Sequence, residues 1–182
     1  MRKKERIGQA ELFIVFSGKR GLFAAAAAAL LFRCPLGRGH LLQLFLIIAV
    51  YGLLLLIAIH DQETSLIPDR WSVLLLVCGM IDYIGSSSPP IGERLAGFFC
   101  VSSFLLIISW ASRGGIGGGD VKLMAAAGFL CGVKSIIQAA LIGFFLAGLY
   151  GAGLLLSRRA GRNDYFPLGP FLCFGIGWVW RL

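Results

Sequence analysis

The sequence predicts an all-α, polytopic transmembrane helix bundle of about six to seven spans, and three observations predict it. The 182 residues are 58% hydrophobic and only 14% charged, with a mean hydropathy of +0.83. That is more apolar surface than a soluble domain of this length can bury. The runs Leu41–Ile59, Leu95–Ala111 and Ser135–Leu156 contain no Asp, Glu, Lys, Arg or His, and each reaches or approaches the ~20 residues that cross ~30 Å of hydrocarbon. The connections between apolar runs are brief, with no internal repeat and no second domain.

Taken in order, the candidate spans are 13–32, 41–59, 71–84, 95–111, 121–133, 135–156 and 166–180. Lys19 and Arg20 interrupt the first and leave Gly21–Phe32, with its polyalanine Ala24–Ala29, as the clean run. The chain therefore divides into a basic N-terminal segment, 1–40, and a membrane-embedded region, 41–182. No small-residue cleavage site follows the first apolar stretch, so a removable signal peptide is not indicated. The third and fifth spans are short, with Asp82 near the end of one and Lys122 near the start of the other. Short, partly polar helices are tolerated where protein or a wet cavity surrounds them. Residues 139, 143, 147 and 151 read Ala-Gly-Ala-Gly, four apart on one helix face, which predicts a close-packing seam.

The formal net charge of +8 could suggest a nucleic-acid partner. In a chain this apolar it is read instead as basic loops on the cytoplasmic leaflet, so the expected partner is the bilayer and no nucleic acid. With seven spans, the segments 1–20, Arg70, Arg113 with Lys122, and Arg158, Arg159 and Arg162 place 12 Lys/Arg on one side against 5 on the other. Without the first span the bias is 11 against 6 in the opposite sense. Either way, the loops at 60–70, 112–120 and 157–165 share one face, and the seven-span reading puts that face in the cytoplasm.

The five cysteines, Cys34, Cys78, Cys100, Cys131 and Cys173, are scattered and contain no C-x-x-C. They read as small core residues rather than a disulfide framework or zinc site. Two histidines, His40 and His60, are too few for a His-based metal centre. No cofactor is implied.

The acidic residues carry more information. Glu5 and Glu11 read as solvated, and Asp82 and Glu93 fall on the opposite face, whereas Asp61, Glu63, Asp69, Asp120 and Asp164 all lie on the shared one. Carboxylates at a membrane call for a chemical explanation. Asp61 follows an apolar run and could simply end a helix at the interface. Asp69 follows Pro68 at a helix start, where a carboxylate would cap free N–H groups, and Glu63 reads as a loop residue near the headgroups. Asp120 could likewise cap the helix 121–133, but five of the six residues before it are glycine. Such a segment leaves a peptide backbone free to lie against it and can take positive φ. A phosphate cradle would end in Lys-Ser/Thr rather than an acid, so a site admitting an extended peptide beside a carboxylate fits better, with Gly117 and Gly119 against the substrate.

Two carboxylates on one face suggest a specific chemistry. Like charges held close cannot both ionise readily, so the pair shares a proton. The ionised member acts as general base on a water, and the protonated member donates to the carbonyl oxygen. The chain offers no convincing Ser–His or Cys–His alternative.

At these residues the sequence resembles the type IV prepilin peptidases, membrane aspartyl proteases of the GxGD class. Asp61-x-Glu63-x-x-Leu66-Ile67-Pro68-Asp69 resembles the first aspartate motif. Gly117-Gly118-Gly119-Asp120-Val121-Lys122-Leu123 resembles the GxGD segment, and Pro167-Leu168-Gly169-Pro170-Phe171 resembles the stretch opening the last helix. The resemblance covers roughly 41–180. It implies that Asp61 and Asp120 are the catalytic pair, and that the substrates are prepilins or pseudopilins cut after a short basic leader at the cytoplasmic face of a bacterial inner membrane. Glu63, Asp69 and Asp164 could then attract that leader, and Lys122 either orients Asp120 or serves the headgroups. The longer members carry paired C-x-x-C motifs and methylate the new N-terminus. With no C-x-x-C here, methyl transfer, S-adenosylmethionine and zinc are not implied. The resemblance does not set the oligomeric state.

Other classes compete. A proton- or cation-coupled transporter would place its carboxylates near the midplane, whereas these stand at helix ends. A catalytically inactive assembly subunit of a secretion system need not keep both aspartates and the glycines. A presenilin-like protease shares GxGD but pairs it with a mid-helix Tyr-Asp, where this chain has His60-Asp61.

Overall fold

A computed structural model describes residues 41–85, 88–112, 117–156 and 167–180. The expected span at 13–32, the boundary of the 1–40 segment, and the whole 157–165 loop with Asp164 lie outside them. The described residues form six α-helices: α1 (Leu41–Thr64), α2 (Asp69–Gly85), α3 (Ile91–Ala111), α4 (Gly118–Cys131), α5 (Val133–Leu156) and α6 (Gly169–Val179). The protein is an all-α membrane helix bundle. Three segments, Gln43–Thr64, Ile91–Ala111 and Val133–Gly153, are long and apolar enough to cross a bilayer.

The surface and core fit that setting. Phe45, Phe104, Trp110, Leu141 and Phe145 are among many large apolar side chains left exposed, as suits a lipid-facing belt. The core is built from Val50 and Ile57 of α1, Leu75 of α2, Leu105 of α3, Leu123 and Met124 of α4 and Ile176 of α6, among others. The two short helices flagged by the sequence are resolved in different ways. In α4, the residues from Leu123 to Cys131 are all buried, with α2, α3, α5 and α6 packed around it, so a helix of 14 residues sits within protein.

Small residues let α4 take that central place. A Cβ on Gly97 of α3 would collide with the Gly128 carbonyl, and one on Gly128 with the Gly97 carbonyl, so the two backbones touch. The α5–α6 contact is similar. Ala139 and Ala147 are buried, Gly143 lies against Leu172, and Gly175 lies against the Ala139 carbonyl. This is the small-residue seam expected from the spacing. Gly132 turns α4 into α5 within one residue at φ +79, a region that L side chains rarely adopt.

In α2, Asp82 is buried because Arg94, itself fully buried, pairs with it at 2.9 Å. The Arg94 guanidinium also donates to the carbonyls of Pro89 (3.0 Å), Gly79 (3.3 Å), Ser88 (3.3 Å), Leu130 (3.4 Å) and Phe129 (3.5 Å). The last two belong to the final turn of α4, whose carbonyls have no intrahelical partner. One charge thus joins α2, α3 and the C-terminal end of α4, at the end of the bundle away from Asp120. The core reading of the cysteines holds for Cys131 and Cys173, while Cys78 is half-buried and Cys100 is exposed. A helix face turned to lipid accommodates a small apolar thiol as readily as a core does.

Candidate active site

Three chain segments converge at one end of the bundle. Helix α1 delivers Asp61 in its last turn. The helix closes with Ser65 N–H donating to the Asp61 carbonyl (2.8 Å) and Thr64 Oγ1 donating to the His60 carbonyl (2.8 Å). Ser65 then takes φ +52, a left-handed conformation that turns the chain sharply. The Asp61 side chain is buried, and its Oδ2 accepts a hydrogen bond from the Gly169 N–H at 3.0 Å. Gly169 begins α6, where an N–H is free of intrahelical partners and suited to an anion. A Cβ on Gly169 would stand 2.6 Å from Asp61 Oδ2 and 2.9 Å from its Cγ, so only glycine admits the carboxylate there.

Helix α4 delivers Asp120. The cap differs from the expectation that Asp120 itself caps the helix. The N-cap is Gly117, at φ −64 and ψ 137, and Asp120 lies within the first turn, its N–H donating to the Gly117 carbonyl at 3.1 Å. The helix therefore starts three residues earlier than the apolar pattern indicated. Asp120 Oδ1 is buried, with no hydrogen-bond partner among the described residues. Asp120 precedes the apolar run 121–133. Burial first, and then the charge of Asp61, raise its pKa to about 7. The two acids are thus near enough for one to feel the other.

The glycines act by close approach. Among the described residues the positive-φ glycine is Gly132, so positive φ is not what Gly117, Gly118 or Gly119 supply. Gly119 instead lies against Ile67, where a Cβ would come 2.9 Å from the Ile67 Cβ. A Cβ on Gly117 would come 3.3 Å from Asp120 Oδ2.

The remaining candidates fall as follows. Glu63 is exposed on the last turn of α1. Lys122 is turned to Asp69. Its ammonium donates to Asp69 Oδ1 and Oδ2, both at 2.7 Å, because residues two apart on a helix project to different faces. Asp69 thus stands at the head of α2 with both oxygens engaged. Gly169 is the site residue missed by reading the acids alone; its signal was the Pro167–Phe171 motif. His60 packs edge-on against Trp71 at 4.7 Å between ring centroids. No cluster of three or more His, Cys, Asp or Glu that could hold a metal occurs among the described residues.

Two interacting carboxyls, Asp61 buried and fixed by a backbone N–H and Asp120 half-buried with an unsatisfied oxygen, can divide acid and base roles between them. Comparison with known proteins bears on which reaction uses it. Residues 47–152 match the model of the type IV leader peptidase family. The chain belongs to that family. A Bacillus subtilis (strain 168) prepilin leader peptidase/N-methyltransferase is 31% identical over 167 residues, covering 87% of this chain and 66% of the relative. An Aeromonas salmonicida (strain A449) protein of the same description is 28% identical over 124 residues, covering 65% and 42%. The leader peptidase HopD of Salmonella typhimurium is 29% identical over 133 residues, covering 68% of this chain and 86% of HopD. The chain therefore spans 42–66% of the length of the first two of these leader peptidases. No solved structure matches it. Family membership and the three apolar helices make it a multi-pass membrane protein.

Proposed function

We propose that this chain is a membrane aspartic endopeptidase that removes the short basic leader of type IV prepilins or pseudopilins, with Asp61 and Asp120 as its catalytic pair. What supports the reading is that both acids stand at one end of the bundle, with the charge of Asp61 felt at Asp120 and with Asp120 Oδ1 lacking a hydrogen-bond partner among the described residues. The relatives named as leader peptidases support the substrate class. A transporter has no comparable support, since both acids stand at helix ends rather than mid-span.

In the proposed mechanism Asp61, held by the Gly169 N–H, is the ionised member at the start of the cycle. It takes a proton from a water lying between the carboxyls as that water attacks the scissile carbonyl. Asp120, whose pKa is raised to about 7 by its burial and then by Asp61, retains its proton into the neutral range, and gives it to the carbonyl oxygen. The tetrahedral intermediate then collapses as the leaving amine takes the proton from Asp61 and Asp120 recovers its own. Gly117, exposed ahead of Asp120, leaves the approach clear for an extended peptide backbone, whereas Gly119 is covered by Ile67 of this chain. Exposed Glu63 is the acid offered to a basic leader, while Asp69 is held by Lys122. On the seven-span reading the charge bias of the loops supports an active site facing the cytoplasm, and the bacterial relatives support an inner-membrane setting. This chemistry requires no cofactor.

The test is cleavage of a prepilin-like substrate by the detergent-purified protein, with Asp61→Ala and Asp120→Ala alongside. Cleavage by the parent and its near-complete loss in both variants is expected. Cleavage surviving either change would remove that acid from the mechanism.

A further inference from the structure

The two acids sit on helices that do not pack extensively on each other. Helix α1 packs mainly on α2 and α6, and α4 on α2, α3, α5 and α6. What sets Asp61 against Asp120 is therefore indirect. One route is the Gly169 hydrogen bond. A second is the connection 65–68, which leaves α1 four residues after Asp61 and crosses to the first turn of α4. Within it, Leu66 is 71% exposed whereas Ile67 is only 9% exposed, because Ile67 lies on Gly119, next to Asp120. The approach is backbone to backbone: a Gly119 Cβ would come 3.3 Å from the Ile67 carbonyl oxygen and 3.4 Å from its nitrogen. Two residues beyond Ile67, Asp69 meets Lys122, two residues beyond Asp120, through both carboxylate oxygens at 2.7 Å.

We propose that Lys122 and Asp69 are positioning residues for the reaction, forming a latch that holds the 65–68 connection on the first turn of α4 and so fixes the spacing of Asp61 and Asp120. The latch rests on the peptidase reading and deepens it. The pair is 56% and 68% exposed, so it adds little to overall stability, and replacing it leaves no buried charge behind. Its effect is on geometry. It brackets the Ile67–Gly119 contact on the side away from Asp61, and on the Asp61 side Ser65 already bends the chain. Releasing it frees the connection to lift from Gly119. A loosened pair of acids binds substrate as before but activates water less well, so kcat falls and KM holds. This use of Asp69 differs from capture of the leader, in which loss of the acid would raise KM.

The experiment measures kcat and KM for a prepilin-like peptide with the full chain in detergent, comparing Asp69→Lys, Lys122→Asp and the charge-swapped double variant. Each single variant is expected to lose roughly fivefold in kcat, the scale of one exposed ion pair acting on geometry, with KM little changed and the melting temperature held. The double variant is expected to regain most of the loss. Undiminished kcat in both single variants overturns the latch. So does a raised KM at constant kcat, which would return Asp69 to the substrate, or a double variant as slow as the singles at unchanged melting temperature. An Asp61→Asn control separates the two readings. If that variant still cleaves, the carboxyl-pair chemistry fails and the latch with it. If it is inert while the single latch variants keep full kcat, only the latch fails.

Discussion

Replacing Gly169 by alanine perturbs the site by one methyl group whose position is known. Gly169 lies in the first turn of α6 and is not at positive φ, so alanine brings no backbone strain, and its N–H is retained. The new Cβ, however, would sit 2.6 Å from Asp61 Oδ2, 2.9 Å from Cγ and 3.2 Å from Cβ. Ordinary van der Waals contact begins near 3.4 Å, so the carboxylate must retreat by about 0.8 Å, or α6 must. Misplacing a reacting group by about 1 Å costs on the order of 100-fold. The same movement stretches a hydrogen bond to a charged acceptor, a class worth about 1.5–3 kcal/mol. Gly169→Ala should therefore lower kcat by roughly 30- to 100-fold, with a smaller change in KM, because Asp61 acts on the water rather than on substrate binding. The assay is steady-state cleavage of a leader peptide in detergent, with a melting curve to show that the bundle is intact. A variant that melts normally and keeps kcat within about threefold of the parent would refute the reasoning that Gly169 fixes Asp61.

Arg94→Met should take the ion pair from buried Asp82 and the donor from the last carbonyls of α4, destabilising the bundle by about 3–5 kcal/mol. Adding Asp82→Leu should recover much of that loss, both read from melting temperatures in detergent. Cleavage should fall as pH rises through about 7, where the shared proton held on Asp120 is lost, the midpoint belonging to the pair rather than to one acid. A pH–kcat profile flat from about pH 6 to 9 would oppose the shared-proton mechanism. Stability follows the same sign. Because the folded pKa of Asp120 lies above its unfolded value, the folded state binds this proton more tightly, and its contribution declines between about pH 4 and 7 as pH rises.

Much of this was legible in the sequence because lipid imposes a simple rule: long uncharged runs must become helices. The runs beginning at Leu41, Leu95 and Ser135 gave α1, α3 and α5, with ends shifted by a few residues where polar caps extend them. The short spans around Asp82 and Lys122 were marked as needing protein around them, and α4 has it on all sides. Invisible in the sequence was which charges would meet. Arg94 lies in a loop-like stretch after two prolines, yet it folds inward to Asp82 through geometry that no spacing rule encodes. Lys122 stands two residues from Asp120 in sequence but projects to Asp69, 53 residues away. The glycine run promises close approach of a backbone, but its sequence does not show that at Gly119 the approaching segment is Ile67 of this chain, nor that Gly169 makes room for the Asp61 carboxylate.

The most direct measurement of the central claim is the titration of the Asp120 carboxyl, followed by carbon-13 NMR of selectively labelled protein in the parent and in Asp61→Asn. If the two acids meet, removing the Asp61 charge lowers the midpoint of Asp120 from about 7 while leaving it above that of an exposed aspartate, since burial remains. A midpoint unchanged by the substitution, with the fold preserved, would mean that the carboxyls do not share a site.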